Sequence, residues 1–305
     1  MKVATREIIN CGTSTSMKYL NAKILIELHE TISIPSLLNN GEAWLLTGGD
    51  LADLEKAEIW SLKRILNLPP KTPTAAIKFE TGTLLMDIRI DKMQLIYLHK
   101  VLQRQADHWT QHILNSLDQI KIGWAEEIRK KLLAFNLDTN WEEIAKKSHA
   151  EWKIMVTEAS EKENKQRLLN LCYKDRTTEK TKTKYVIQKV KHQQYNRIEH
   201  EPTMKMSKLK SKAIIMARAG MLECAANYRN KYRTKNCRDC NTIDDECHRI
   251  NVCKKYAGTN NYGRNQQFDY NLVYSDTTED LEAAAETILN VWDLANGKNK
   301  MRNLN

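Results

Sequence analysis

The segment CRDCNTIDDECHRINVC, residues 237–253, sets four of the chain's seven cysteines and a histidine among mostly polar side chains. A stretch this short and polar has little apolar mass with which to hold a shape, so the thiols themselves become the constraint. Two readings compete. Either the cysteines are reduced thiols packed as small hydrophobes, or they ligate a metal ion. The surroundings (Arg238, Asp239, Asn241, Asp244, Asp245, Glu246 and Arg249) offer the thiols little to pack against and favour the metal.

Zinc is the cofactor this pattern points to. A Cys-x2-Cys pair on a tight turn, Cys237 and Cys240, presents two sulfurs at the separation a tetrahedral ion needs. His248 and Cys253 complete a Cys-x2-Cys-x7-His-x4-Cys set, and Cys247 competes with His248 as the third ligand in a Cys-x2-Cys-x6-Cys-x5-Cys version. Spacing leaves that choice open. Four protein ligands would fill the coordination sphere, so the site is expected to be structural, contributing on the order of 10 kcal/mol to local folding.

The rest of the chain reads as helices. Ten glycines and five prolines in 305 residues, against 48 Lys+Arg and 38 Asp+Glu, favour long solvated helices over turn-rich β structure. Asp50 is expected to cap a helix whose stripe is Leu51, Leu54, Ile59, Leu62, Ile65 and Leu66, stopped by Pro69-Pro70. Thr72 and Pro73 open a short helix closed by Gly82. Ile88, Leu95, Leu98 and Leu102 form one face of the next helix. Residues 16–40 read as helical with a kink or break at Pro35. Trp141, Ile144, Ser148, Trp152 and Met155 predict a single stripe beyond Asn140. Lys174–Lys191 reads as an exposed connector, 258–266 as a loop, and TTEDLEAAAETILNVWDLANG as a closing helix ended by Gly297. The boundaries expected are a helical region over 1–140, a basic helical connector over 141–235, the knuckle over 236–256, and a loop with the last helix over 257–305.

Charge is unevenly placed. Residues 162–235 carry 20 Lys+Arg and 6 Asp+Glu, an excess of +14 in a chain of net +10. Such a field suits a polyanion, through release of condensed counterions, although a solvated helix surface has the same composition. The cations expected to face RNA or single-stranded DNA are Lys208, Lys210, Lys212 and Arg218 on one helix, then Arg229, Lys231, Arg233, Arg238, Arg249, Lys254 and Lys255. Tyr228, Tyr232 and Tyr256 interleave with the latter group and would stack on unpaired bases.

Other groupings carry less. Asp244-Asp245 lies between presumed metal ligands with no strand signal around it, unlike the magnesium-binding pair of a polymerase palm. LLTGGD, residues 45–50, lacks the spacing and lysine of a phosphate loop. The remaining histidines show no nucleophile partner. No apolar run approaches the roughly 18 residues of a membrane span, and the first twenty residues lack a signal-peptide core, so an intracellular, non-membrane protein is expected.

IPSLLNNGEAWLLT, DLEKAEIWSLKRILNLPPKTPTAAIKFETG and NYRNKYRTKNCRDCNTIDDECHRINVCKKY, taken in order, resemble the segment that follows the polymerase domain in reverse transcriptases of non-LTR (LINE-type) retrotransposons. The likeness covers roughly residues 16–105 and 205–256. It implies a mostly α chain: a helical thumb- and connector-like bundle, then a small CCHC zinc knuckle and a C-terminal helix. It also implies a nucleic-acid-binding role in target-primed reverse transcription, and a nuclear location. The chain departs from the family in lacking fingers, palm, an aromatic-x-Asp-Asp strand and the endonuclease, so no polymerase residue carries over to any position. The expectation is therefore a non-catalytic C-terminal fragment, with Met1 internal to a longer reading frame. It would bind RNA or single-stranded DNA, and alternatively serve as a helical scaffold that docks a polymerase body with zinc purely structural.

Overall fold

A computed structural model of the chain describes Arg6 and residues 21–104, 108–177, 201–227, 234–253 and 268–295. These residues are mostly helical, and their only β pairings are two isolated bridges, Asn21 with Ser207 and Asn236 with Ile243. Among the described residues no helix is long and apolar enough to cross a membrane.

The chain divides into two compact units that interleave in sequence. One comprises Met1–Ser33, Ile59–Gly82 and Leu171–Asn305; the other comprises Ile34–Glu58 and Thr83–Asn170. The four consecutive segments expected from sequence therefore do not correspond to the units. Contacts between residues distant in the chain draw the boundaries instead, and two of them fall inside the helices α3 (Gly48–Ile65) and α9 (His149–Thr177).

In the second unit, α5 (Met86–Leu102) is the central element. It packs against a 3-10 turn at Gly41–Ala43 and against α6 (Trp109–Ile120), α7 (Gly123–Ala134) and α8 (Trp141–Lys146). Ile88, Leu95 and Leu98 on its predicted face are fully buried. Ile34, Leu38, Met86 and Ile90 form a core cluster joined by Trp44, Leu51 and Leu54. Polar groups follow the core. Gln94 donates to the carbonyls of Gly41 and Trp44, at 3.2 and 2.7 Å, and the Trp152 indole donates to Leu95 O at 2.8 Å.

Several helix ends differ from the sequence reading, each for a local reason. α3 begins at Gly48 because Thr47 and Asp50 form a reciprocal capping pair: Asp50 Oδ2 accepts from Thr47 N at 2.9 Å and Thr47 Oγ1 accepts from Asp50 N at 3.3 Å. Asp50 is thus three residues inside the cap. α3 stops before the prolines, where Asn67 turns left-handed (φ 54°) and Leu68 N closes back on Lys63 O at 2.8 Å. In α4 (Thr74–Thr81) the cap is Pro73, one residue past Thr72, whose hydroxyl donates to Pro69 O at 2.8 Å; Gly82 ends the helix at φ 62° as expected. The stripe from Trp141 to Met155 is two helices. Lys147 is extended, and Ser148 with Glu151 forms a second reciprocal cap that starts α9. Pro35 lies at the second position of α2 (Ile34–Leu37), where its missing N–H is tolerated, after a wide turn at His29–Ser33 that follows α1 (Ala22–Leu28).

In the first unit, α10 (Glu201–Lys205) packs on α1 and α4. α11 (Lys208–Arg218) packs on α4, on a 3-10 turn at Tyr270–Tyr274 and on α12 (Thr278–Ala295). From Ser211 to Ala219 every side chain of α11 is buried. The helix whose cations were expected to face a polyanion is, from Ser211 onward, a core helix. It ends at Gly220 (φ 58°), with Met221 N returning to Met216 O at 2.7 Å. The 258–266 loop, the greater part of the 174–191 connector and Gly297 lie outside the described residues.

Candidate metal centre

Two small backbone devices bring the predicted ligands together. The first is a tight turn. Cys237 N donates to Thr242 O at 2.7 Å, Asn241 N to Cys237 O at 2.9 Å and Asp244 N to Lys235 O at 2.8 Å, so the chain doubles back around Cys237 and Cys240. Asn241 supplies the left-handed residue this reversal requires (φ 56°), a conformation asparagine tolerates better than most.

The second device is a wide helical turn over His248–Val252, closed by Cys253 N on His248 O at 2.8 Å. In a regular α-helix two residues five apart point about 140° from one another. An i to i+5 closure widens the turn and sets His248 and Cys253 nearly above one another. Asp245 starts this turn: its side chain accepts the His248 amide at 2.7 Å and its carbonyl accepts the Arg249 amide at 3.1 Å.

The outcome is a cluster of Cys237, Cys240, His248 and Cys253 whose ligand atoms all lie within 4.8 Å of one another, a group able to hold a metal ion. The Cys253 sulfur is 3.7 Å from that of Cys237 and 3.9 Å from that of Cys240. His248 Nδ1 is hydrogen-bonded to Thr242 Oγ1 at 3.0 Å, while its Nε2 is buried without a hydrogen-bond partner. A buried ring nitrogen left unsatisfied costs free energy unless something accepts its lone pair, and a cation between three sulfurs would do so. Cys247 is exposed and lies outside the cluster, so the structure gathers His248 in the third position.

The turn is bolted to the helical body by a buried ion pair. Asp244 accepts from Arg249 Nε and Nη2, both at 2.7 Å, and from Ala225 N at 2.8 Å; the Arg249 guanidinium lies 5.6 Å from the Trp292 ring centre on α12. Burial opposes ionisation of Asp244, but the Arg249 and Ala225 hydrogen bonds prevail and hold its carboxyl below the usual range. Asp244 and Asp245 are accordingly an ion-pair partner and a turn cap.

The cations chosen from sequence separate into distinct fates. Arg218 is buried at 8% exposure, donating to Glu80 at 3.0 Å and to Val273 O at 2.7 Å. Arg249 is buried against Asp244, and Lys212 is 2% exposed. Those three do not face solvent: α11 is buried from Ser211 onward, and Arg249 is shared between Asp244 and Trp292. Lys210 bridges Glu282 and Glu286 of α12 at 3.1 and 2.8 Å. Lys208 is half-buried and Arg238 is exposed. Tyr228, Arg229, Lys231, Tyr232, Arg233, Lys254, Lys255 and Tyr256 lie outside the described residues.

Sequence reading passed over Thr242, whose carbonyl serves Cys237 and whose hydroxyl serves His248, and over the Asp244–Arg249 pair. The Asp245-x-x-His248 spacing, an acidic cap three residues before its amide partner, was the legible signal for where the second turn begins. No family model, no curated protein and no solved structure matches the chain.

Proposed function

We propose that Cys237, Cys240, His248 and Cys253 hold a structural zinc ion. We further infer that the chain is a non-catalytic, RNA- or single-stranded-DNA-binding segment of the kind that follows the polymerase in non-LTR retrotransposon reverse transcriptases. The observation that carries the zinc reading is the shape of the cluster. Zinc–sulfur bonds of about 2.3 Å in a tetrahedron place sulfurs about 3.8 Å apart. The sulfur separations here are 3.7 and 3.9 Å, with His248 Nε2 aimed at no other partner. Three thiolates and an imidazole suit zinc, and four protein ligands leave no position for a reacting water.

The nucleic-acid reading is supported by the +14 excess over residues 162–235 and by exposed Arg238 on the metal-binding turn. With Lys212, Arg218 and Arg249 buried, that reading falls to Arg238, to Lys208 and to the cations outside the described residues. Two measurements test the pair of statements. Metal analysis should find one zinc per wild-type chain and a large loss in Cys240→Ser. Filter binding to a single-stranded oligonucleotide should weaken steeply between about 50 and 200 mM salt, by about 0.7 to 0.9 in log-log slope per phosphate contact. Salt-indifferent binding would refute the phosphate contacts.

A scaffold that docks a polymerase body is the second reading, and one observation favours it. Trp109, Ile113 and Ile120 line one face of α6 at 65, 50 and 61% exposure, an apolar stripe unusual on a surface helix.

A further inference from the structure

His99 and His149 meet at the start of α9, and the break between α8 and α9 is what brings them together. Lys147 is extended, so the chain turns back and sets His149, the first residue of α9, against the last turn of α5, where His99 sits. The two Nδ1 atoms are 3.4 Å apart and the ring centres 5.5 Å, which places the nitrogens between the rings. His99 is 1% exposed and stacked on the buried Trp152 ring, while His149 is exposed. One ring is therefore fixed by packing, and the other opens the pair to solvent.

Hydrogen bonding decides which nitrogen of His99 carries the proton. Its Nε2 lies 2.9 Å from Lys147 O, and a carbonyl only accepts, so Nε2 bears the hydrogen and the neutral ring presents its Nδ1 lone pair toward His149. Metal-ligating imidazoles are held in this way, one nitrogen donating to a carbonyl or carboxylate and the other facing the ion. The spacing is also that of two ligands. Metal–nitrogen bonds of about 2.0–2.1 Å in a tetrahedron put the nitrogens about 3.3–3.4 Å apart, whereas a square-planar ion would draw them to about 2.8–3.0 Å. A hydrogen bond between the rings is the competing use of the pair, and 3.4 Å is long for one, since an N–H donor prefers about 2.7–3.2 Å to an oxygen acceptor.

We propose that His99 Nδ1 and His149 Nδ1 bind a divalent cation of tetrahedral preference, zinc or cobalt, which clips the start of α9 to α5. Among the described residues no third histidine, cysteine or carboxylate joins the pair, so solvent completes the coordination. The acids nearest in sequence are already committed, Glu151 to the Ser148 cap and Glu143 to Lys146, and the positive end of α9 opposes a cation here. Affinity is accordingly well below that of a site with four protein ligands, and the ion is exchangeable. The site has no residue in common with Cys237, Cys240, His248 and Cys253.

The test is calorimetric titration of the full-length chain with zinc chloride, after a first equivalent has been added for the thiol cluster, in wild type, H149A and H149Q. The expected result is a further equivalent taken up by the wild type and bound tenfold or more weakly by both variants, with added zinc raising the melting temperature of the wild type alone. His149 is exposed, so both variants should melt like the wild type before the further zinc is added. The difference between wild type and variants is read whether or not the thiol cluster holds metal. In the wild-type NMR spectrum the ring resonances of His99 and His149 should move together as zinc is added. Equal binding in wild type and variants, or movement of other histidines only, would overturn the site, as would the absence of any further uptake, which leaves the pair a hydrogen bond between two rings.

Discussion

Replacing Lys212 by methionine removes a buried charge while keeping the length of the side chain, and the structure sets the size of the effect. Burial and Lys208 lower the amine from 10.5 to about 8. A depression of that size corresponds to about 3 kcal/mol. The sign follows from proton counting. Between about pH 8 and 10.5 the unfolded chain holds the lysine proton and the folded chain has released it, so wild-type stability rises with pH across that window. Below pH 8 the full penalty is present. K212M should therefore be more stable than wild type by up to about 3 kcal/mol at pH 7, and the advantage should vanish by about pH 10.5. Urea denaturation at half-unit pH steps reads this directly, as a midpoint difference with unchanged slope. A constant offset between the two pH profiles, or a K212M less stable at pH 7, would show that Lys212 is not held against its charge.

Thr242→Val keeps the backbone bond to Cys237 but removes the hydroxyl from His248; metal affinity should fall about 10- to 100-fold, with Thr242→Ser close to wild type, as read by competition with a chromophoric chelator. Arg249→Met strands the buried Asp244 carboxylate and should cost about 3 to 5 kcal/mol in denaturant unfolding, with the additional Asp244→Asn change recovering part of it. Ser148→Ala removes the cap that separates α8 from α9 and should cost about 1 kcal/mol by the same assay. Ile113→Asp changes an exposed position, so stability should move by no more than about 0.5 kcal/mol, while any concentration-dependent association seen by sedimentation should weaken.

The helical class, most helix positions and the clustering of Cys237, Cys240, His248 and Cys253 were legible in the residues because each depends on local chemistry. Hydrophobic spacing on α5, Gly82 as a left-handed stop and the Cys-x2-Cys turn are properties of a few neighbouring residues, and they reappear unchanged in three dimensions. Helix starts were displaced where two side chains cap reciprocally. Asp50 and Thr47, like Glu151 and Ser148, read one way singly and another as a pair.

Tertiary structure alone decided which charges are surface and which are core. Composition marked α11 as a basic helix with a solvated face, yet Glu80, Val273 and the acids of α12 meet it from segments 55 to 138 residues away, and no spacing within the helix announces them. The choice of His248 over Cys247 is of the same kind. Neighbouring residues point to opposite sides of a turn, and only the closure of Cys253 on His248 determines which of them faces the sulfurs.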